Sequence, residues 1–242
     1  MGRLLSTIQN DVVIQVRRNY YSVAVLIAAF FAVAFALIFE PDQILAIIPP
    51  AMLFIVGGTS MFFTGGLVID EKEKGILKAL LVSPLEVGEY LASKIITLTF
   101  LATLEVAIMV GGPLAYFHFS EGAALPNIAL LLAGIVALNL IYTLLGMAFT
   151  VRFRKITDYM IPVALIMIPL QIPAVYFADI FSAPAILAIP SAAPVMIIQG
   201  AFLTLSNAEW LYAVLYVAAL VLLLTLWARR SFFQHIVLRL DQ

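Results

Sequence analysis

The sequence predicts an all-α integral membrane protein with six transmembrane helices, and three observations carry that prediction. Mean hydropathy is +1.11, with 64% hydrophobic and 11% charged residues, where a soluble domain carries roughly 25% charge. Six apolar segments reach the roughly 20 residues a helix needs to cross a bilayer. All 13 Lys and Arg fall on one side of the resulting six-span arrangement, and such sidedness marks the cytoplasmic face. The spans are Tyr21 to Phe39, Leu45 to Ile69, Ile95 to Phe117, Ile128 to Val151, Ile156 to Phe177 and Trp210 to Ala228. The segments facing the other side carry only acids, namely Glu40, Asp42, Glu121, Asp179 and Glu209. Both termini are therefore expected in the cytoplasm, in a multi-pass protein of the inner (plasma) membrane.

The chain before the first span has Leu4, Leu5, Ile8, Val12 and Val16 at helical spacing, with Gln9, Asp11, Gln15 and Arg17 between them. This pattern predicts an amphipathic helix lying in the cytoplasmic interface, as against a polar tail with fortuitous periodicity. Ala32-Val33-Ala34 resembles a signal-cleavage pattern, but the structured segment ahead of the first span argues against a secretory leader. In the second span Gly57, Gly58, Ser60, Gly65 and Gly66 offer small surfaces for close helix packing.

The loop after the second span opens on Asp70-Glu71-Lys72-Glu73-Lys74-Gly75. Ile76, Leu77, Leu80 and Leu81 then recur at helical spacing and predict a short helix with an apolar face. Ser83-Pro84-Leu85-Glu86 reads as a capping box with Pro at the first helical position. A new helix is expected to run from Pro84 into the third span, with Glu86, Glu89 and Lys94 in its cytoplasmic stem. The alternative is an ordinary solvated connector.

Glu105 is the one ionisable residue expected deep in a span, and such residues are functional candidates by default. In a structural role its carboxyl bonds across helices to Asn139, Tyr142 or Gln171. In a functional role it lies on a cavity wall facing a polar or cationic part of a substrate, with Asn139 and Gln171 as further lining. Gly111-Gly112-Pro113 is expected to kink or end the third helix near the outer face. Pro169, Pro173, Pro184, Pro190 and Pro194 break an apolar stretch that runs to Glu209. That combination predicts short helices re-entering the outer leaflet, as against a further broken pair of spans.

The composition excludes much. Net charge is −1 and gives no footprint for nucleic acid. The chain has no cysteine. Its two histidines, His118 and His235, sit at span ends, so no metal site is expected. No phosphate-binding loop of the G-x-x-x-x-G-K-[ST] kind occurs. The chain is therefore not expected to be an enzyme or to bind a cofactor.

Glu71-Lys72-Glu73-Lys74-Gly75-Ile76-Leu77-Lys78-Ala79-Leu80-Leu81-Val82-Ser83-Pro84 resembles the signature of type 2 ATP-binding-cassette (ABC) exporter permeases. Ile76 stands where that signature has Thr, and Lys78 where it has Glu. The order of elements along nearly the whole chain is similar as well. The resemblance implies that Glu71 to Leu81 forms a coupling helix, with Ser83 and Pro84 closing it, and that this helix docks on a separate ABC ATPase subunit. Two such ATPases, which would hold ATP and Mg, and a second permease subunit, most simply an identical copy, would complete an exporter of lipophilic or amphiphilic compounds. The expected organisation is one permease domain, 1–242. It divides into an interfacial helix (1–20), spans one and two (21–69), a coupling loop (70–84), spans three to five (85–177), a re-entrant segment (178–209), span six (210–228) and a cytoplasmic tail (229–242). A proton- or ion-coupled secondary transporter using Glu105 and a membrane assembly scaffold are the competing readings.

Overall fold

A computed structural model describes residues 2–77 and 85–237, and every regular element among them is helical. In chain order the elements are α1 (Gly2–Arg17), α2 (Tyr20–Ile38), α3 (Pro41–Glu73), α4 (Val87–Glu121), α5 (Ile128–Thr150), α6 (Ile156–Gln171) and α7 (Pro173–Phe177). A 3-10 turn (Pro184–Ala188), α8 (Ala192–Gln199), α9 (Asn207–Phe232) and a terminal π-helical turn (Phe233–Val237) follow. Among the described residues six helical stretches are long and apolar enough to cross a membrane. They coincide with the six spans read from the sequence.

α5 is the central helix, packed by α3, α4, α8 and α9. Its contact with α8 is close because position 134 is glycine. A Cβ there would stand 2.6 Å from Ile198 Cγ1 and 2.8 Å from the Ile198 backbone nitrogen. The glycines of α3 act in the same way toward tyrosine rings. A Cβ at Gly57 would meet the Tyr142 ring at 3.0 Å, and one at Gly65 the Tyr159 ring at 2.2 Å. Tyr159 closes that contact by donating its hydroxyl to the Met61 carbonyl at 2.8 Å. Gly57 and Gly65 are thus notches for aromatic rings of α5 and α6. Gly134→Val is expected to displace α8 by collision with the Ile198 backbone, at a cost of about 1–3 kcal/mol for overpacking. A lower melting temperature in detergent, read by size-exclusion chromatography after heating, checks this; an unchanged profile refutes the close approach.

Three boundaries differ from expectation. The helix into the third span begins at Val87, not Pro84, and Glu86 is its extended N-cap. The Glu86 N–H donates to Glu89 Oε2 at 3.1 Å, so a Glu-x-x-Glu pairing starts this helix. Gly111-Gly112-Pro113 does not end α4, which continues to Glu121 and stops at Gly122 with φ 69. Proline removes one backbone donor, but α2 packs closely at this point and supports the helix across it. A Cβ at Gly112 would stand 3.0 Å from Ala32 Cβ. Finally, α3 extends through Glu73, so Glu71 and Lys72 belong to the end of the second span rather than to a separate coupling helix.

The segment before α9 breaks into pieces too short to cross. α8 has 8 residues, roughly 12 Å of helix. Ala192 to Ile198 are all buried. Carbonyls at the breaks are capped by side chains. Ser191 Oγ donates to the Leu170 carbonyl at 2.6 Å. Tyr212 donates to Leu187 at 2.5 Å, and Tyr216 to Ala188.

Candidate functional site

At the basic end of the bundle, charged side chains bind the helix ends to one another. Lys94 is almost fully buried, and its Nζ lies 2.5 Å from Glu71 Oε1 and 2.6 Å from Asp11 Oδ1. The other oxygen of each carboxylate is also taken. Tyr90 donates its hydroxyl to Glu71 Oε2 at 2.7 Å, and Ser93 to Asp11 Oδ2 at 2.5 Å. Beside them Gln15 Nε2 donates to Thr97 Oγ1 at 2.9 Å. One buried cation thus holds α1, α3 and α4 together. The Tyr90 ring packs on Phe232 with centroids 5.4 Å apart, which brings in the end of α9.

Two further ties complete this base. Lys72 Nζ donates to the Val151 and Phe153 carbonyls at 2.7 and 2.9 Å, capping the end of α5 with a cation where the helix dipole favours one. Asp70 pairs with Arg18 at the start of α2 and with Lys74 at 2.8 Å. These contacts place the basic clusters of α1 to α5 and α9 at one end of the fold.

The signature residues therefore divide into two groups. Glu71 and Lys72 bond within the bundle itself. Glu73, Lys74 and Ile76 are exposed. Gly75 has φ +71, a left-handed turn that ends α3 and that proline cannot adopt. The backbone is helical again at Ile76 and Leu77, and Leu77 is buried. Leu80, Leu81, Ser83 and Pro84 lie outside the described residues.

α1 forms where the periodicity places it, but the face it turns to the protein is the polar one. Asp11 and Gln15 are buried, while Leu5 and Val16 are 61% and 53% exposed. The apolar stripe is visible in the sequence, and the inward carboxylate was missed there. The available signal was Lys94 itself, a cation in the apolar run Leu91 to Leu98 that needs a counter-charge.

A second polar group lies within the membrane. Glu105 is buried, and among the described residues neither carboxylate oxygen has a hydrogen-bond partner. Thr59 is the neighbouring hydroxyl, and its Oγ1 also lies 3.1 Å from the Ile55 carbonyl. Of the expected partners, Asn139 and Tyr142 are engaged elsewhere. Asn139 accepts from Ser60 Oγ at 2.8 Å and donates to Thr103 Oγ1 at 3.5 Å, joining α3, α5 and α4. Tyr142 donates to the Leu170 carbonyl at 3.4 Å. Thr103 and Glu105 are two residues apart on α4 and so face different directions. Gln171 ends α6 and is half-buried. Asn139 thus acts as an interhelical tie.

A bundle with six helices long and apolar enough to cross a membrane, tied by ion pairs at its basic end, is a multi-pass membrane protein. Comparison with known proteins gives the family. Residues 2–240 match the fluoroquinolones export permease protein family, and the chain belongs to it. It is 30% identical over 225 residues to the fluoroquinolones export permease proteins of Mycobacterium tuberculosis strains CDC 1551 / Oshkosh and ATCC 25618 / H37Rv. That match covers 89% of this chain and 89% of each relative. The resemblance read in the charged loop agrees with this membership.

Proposed function

We propose that this chain is the membrane subunit of an ATP-driven exporter that moves amphiphilic drugs, fluoroquinolones among them, out of the cytoplasm or inner leaflet. ATP and Mg sit on a separate ATPase subunit, present in two copies, and two permease chains form a homodimer around the substrate path. The basic end of the bundle faces the cytoplasm, as the Lys and Arg distribution favours. The family match supports drug export.

One observation carries the coupling mechanism. α3 runs unbroken from the membrane into the ion-paired base and ends directly at the exposed Glu73, Lys74 and Ile76. A push on that face enters α3 and, through Lys94, α1 and α4 together. Glu73 to Leu77, with Leu80, Leu81, Ser83 and Pro84, form the ATPase-docking element in this reading.

Ile76, 41% exposed, is the residue to test, because its substitution leaves the buried ties untouched. Ile76→Asp is expected to abolish recovery of the ATPase with tagged permease from native membranes in mild detergent. The variant's own elution profile stays as in the wild type. Wild-type permease recovered without any ATPase across several mild detergents would overturn the ATP-driven reading and favour a secondary transporter.

A further inference from the structure

We infer that the groove between the start of α4 and the end of α9 binds the headgroup of an anionic phospholipid at the basic end of the bundle. The groove has a volume of about 550 Å³ and is lined by Glu86 and Gly88 on one side and Leu226, Arg229, Arg230 and Phe233 on the other. Its depth is fixed by its neighbours. Trp227 stands two positions before Arg229 in the chain, and the Arg152 guanidinium lies 5.6 Å from its ring centroid. Tryptophan and arginine in this pairing belong to the membrane–water interface, so the groove lies in the headgroup layer.

The charges in the groove are available. Arg18, Lys72, Lys74 and Lys94 all have partners within the base. Arg229 and Arg230 have no ion pair or side-chain hydrogen bond among the described residues. Two arginines face one glutamate, so the lining is net positive. Arginine's planar fork matches phosphate oxygens. The space is shaped for such a group as well. Gly88 has nothing within 4 Å of the position a Cβ would take, which leaves bare backbone on that wall. Leu226 and Phe233 are 56% and 48% exposed and offer an apolar edge beside the cations. A docked ATPase would meet the arginines but would leave this apolar edge in the headgroup layer without a partner. A glycerophospholipid satisfies both. The inference is independent of the ATPase reading.

The test is native mass spectrometry of purified permease exposed to equimolar phosphatidylglycerol and phosphatidylcholine. Wild-type protein is expected to retain phosphatidylglycerol preferentially. Basic side chains near an anionic surface contribute about 1 kcal/mol each, so Arg229→Gln with Arg230→Gln is expected to lower that retention roughly tenfold or more. The Lys pair at the same positions keeps it. Gly88→Leu lowers it without any change of charge, and as an exposed helical position exchanged for a better helix former it protects the test against misfolding of the glutamine variant. Equal retention of the two lipids, or undiminished retention in the glutamine and Gly88→Leu variants, overturns the inference. So does displacement of the lipid by inorganic phosphate, which assigns the groove to a free anion. Loss of ATPase recovery with lipid retention unchanged also overturns it and assigns the groove to subunit docking.

Discussion

Lys94→Met is expected to leave little or no monodisperse permease after extraction. Methionine fills nearly the same space, so the effect is electrostatic. Without the lysine, Asp11 and Glu71, which share its one nitrogen at 2.6 and 2.5 Å, face each other with no counter-ion. Two like charges about 4 Å apart repel by about 4 kcal/mol at an effective dielectric constant near 20. Removing one member of a buried ion pair costs about 3–5 kcal/mol in general. Either figure is a large part of the roughly 5–15 kcal/mol by which folded domains are stable. Asp11→Asn alone is expected to cost far less, about 1 kcal/mol, because the Lys94–Glu71 pair and the contact with Ser93 survive it. Adding Asp11→Asn and Glu71→Gln to Lys94→Met removes the uncompensated charges and restores most of the folded protein. Size-exclusion chromatography of all three variants after a heating series decides the matter. Equal loss in Lys94→Met and the neutral triple variant would show that lysine acts there through shape and not charge.

This triad also marks the limit of what could be read along the chain. The spans were legible because each is a property of one local segment, its length and its apolarity. The notches at Gly57 and Gly65 were legible as small surfaces, but their tyrosine partners lie in α5 and α6. Pairings between segments leave no local trace. Asp11 and Lys94 are separated by 83 positions, and Asp11 alone reads as the solvated face of an amphipathic helix. The charged loop shows a related limit. Its acid-base-acid run matches a docking signature, and the run alone does not tell that α3 carries Glu71 and Lys72 into bonds within the bundle while Glu73, Lys74 and Ile76 stay exposed. The start of α4 was misplaced because Ser83-Pro84 is a stronger helix-start signal than Glu86 by residue preference, while Glu89 sits where it can bond the Glu86 N–H.

Glu105 was legible as an anomaly, but its surroundings were not, and they alter the prediction that follows from it. A buried polar group that serves only structure has its hydrogen bonds satisfied. Among the described residues both Glu105 oxygens are without partners, and Asn139 and Tyr142 are bonded to other groups. Such a group costs stability where it stands, which is the pattern of residues kept for function. In the proposed exporter its partner is the cationic amine of an amphiphilic substrate, met when the helices part during the transport cycle. Glu105→Leu removes the unsatisfied oxygens and is expected to leave the melting temperature unchanged or raised, because apolar replacement of an unpaired buried polar group relieves its desolvation cost. The same substitution, and Glu105→Gln, are expected to lower export of an amine-bearing fluoroquinolone roughly tenfold to a hundredfold, the equivalent of a charged hydrogen bond of about 1.5–3 kcal/mol. Export of a neutral amphiphile is expected to continue in the Gln variant. Accumulation of both compounds in cells expressing each variant, set beside the melting curves, distinguishes the roles. A destabilised Leu variant would make Glu105 a structural residue, and unaltered drug export in the Gln variant would remove the carboxylate from the transport path.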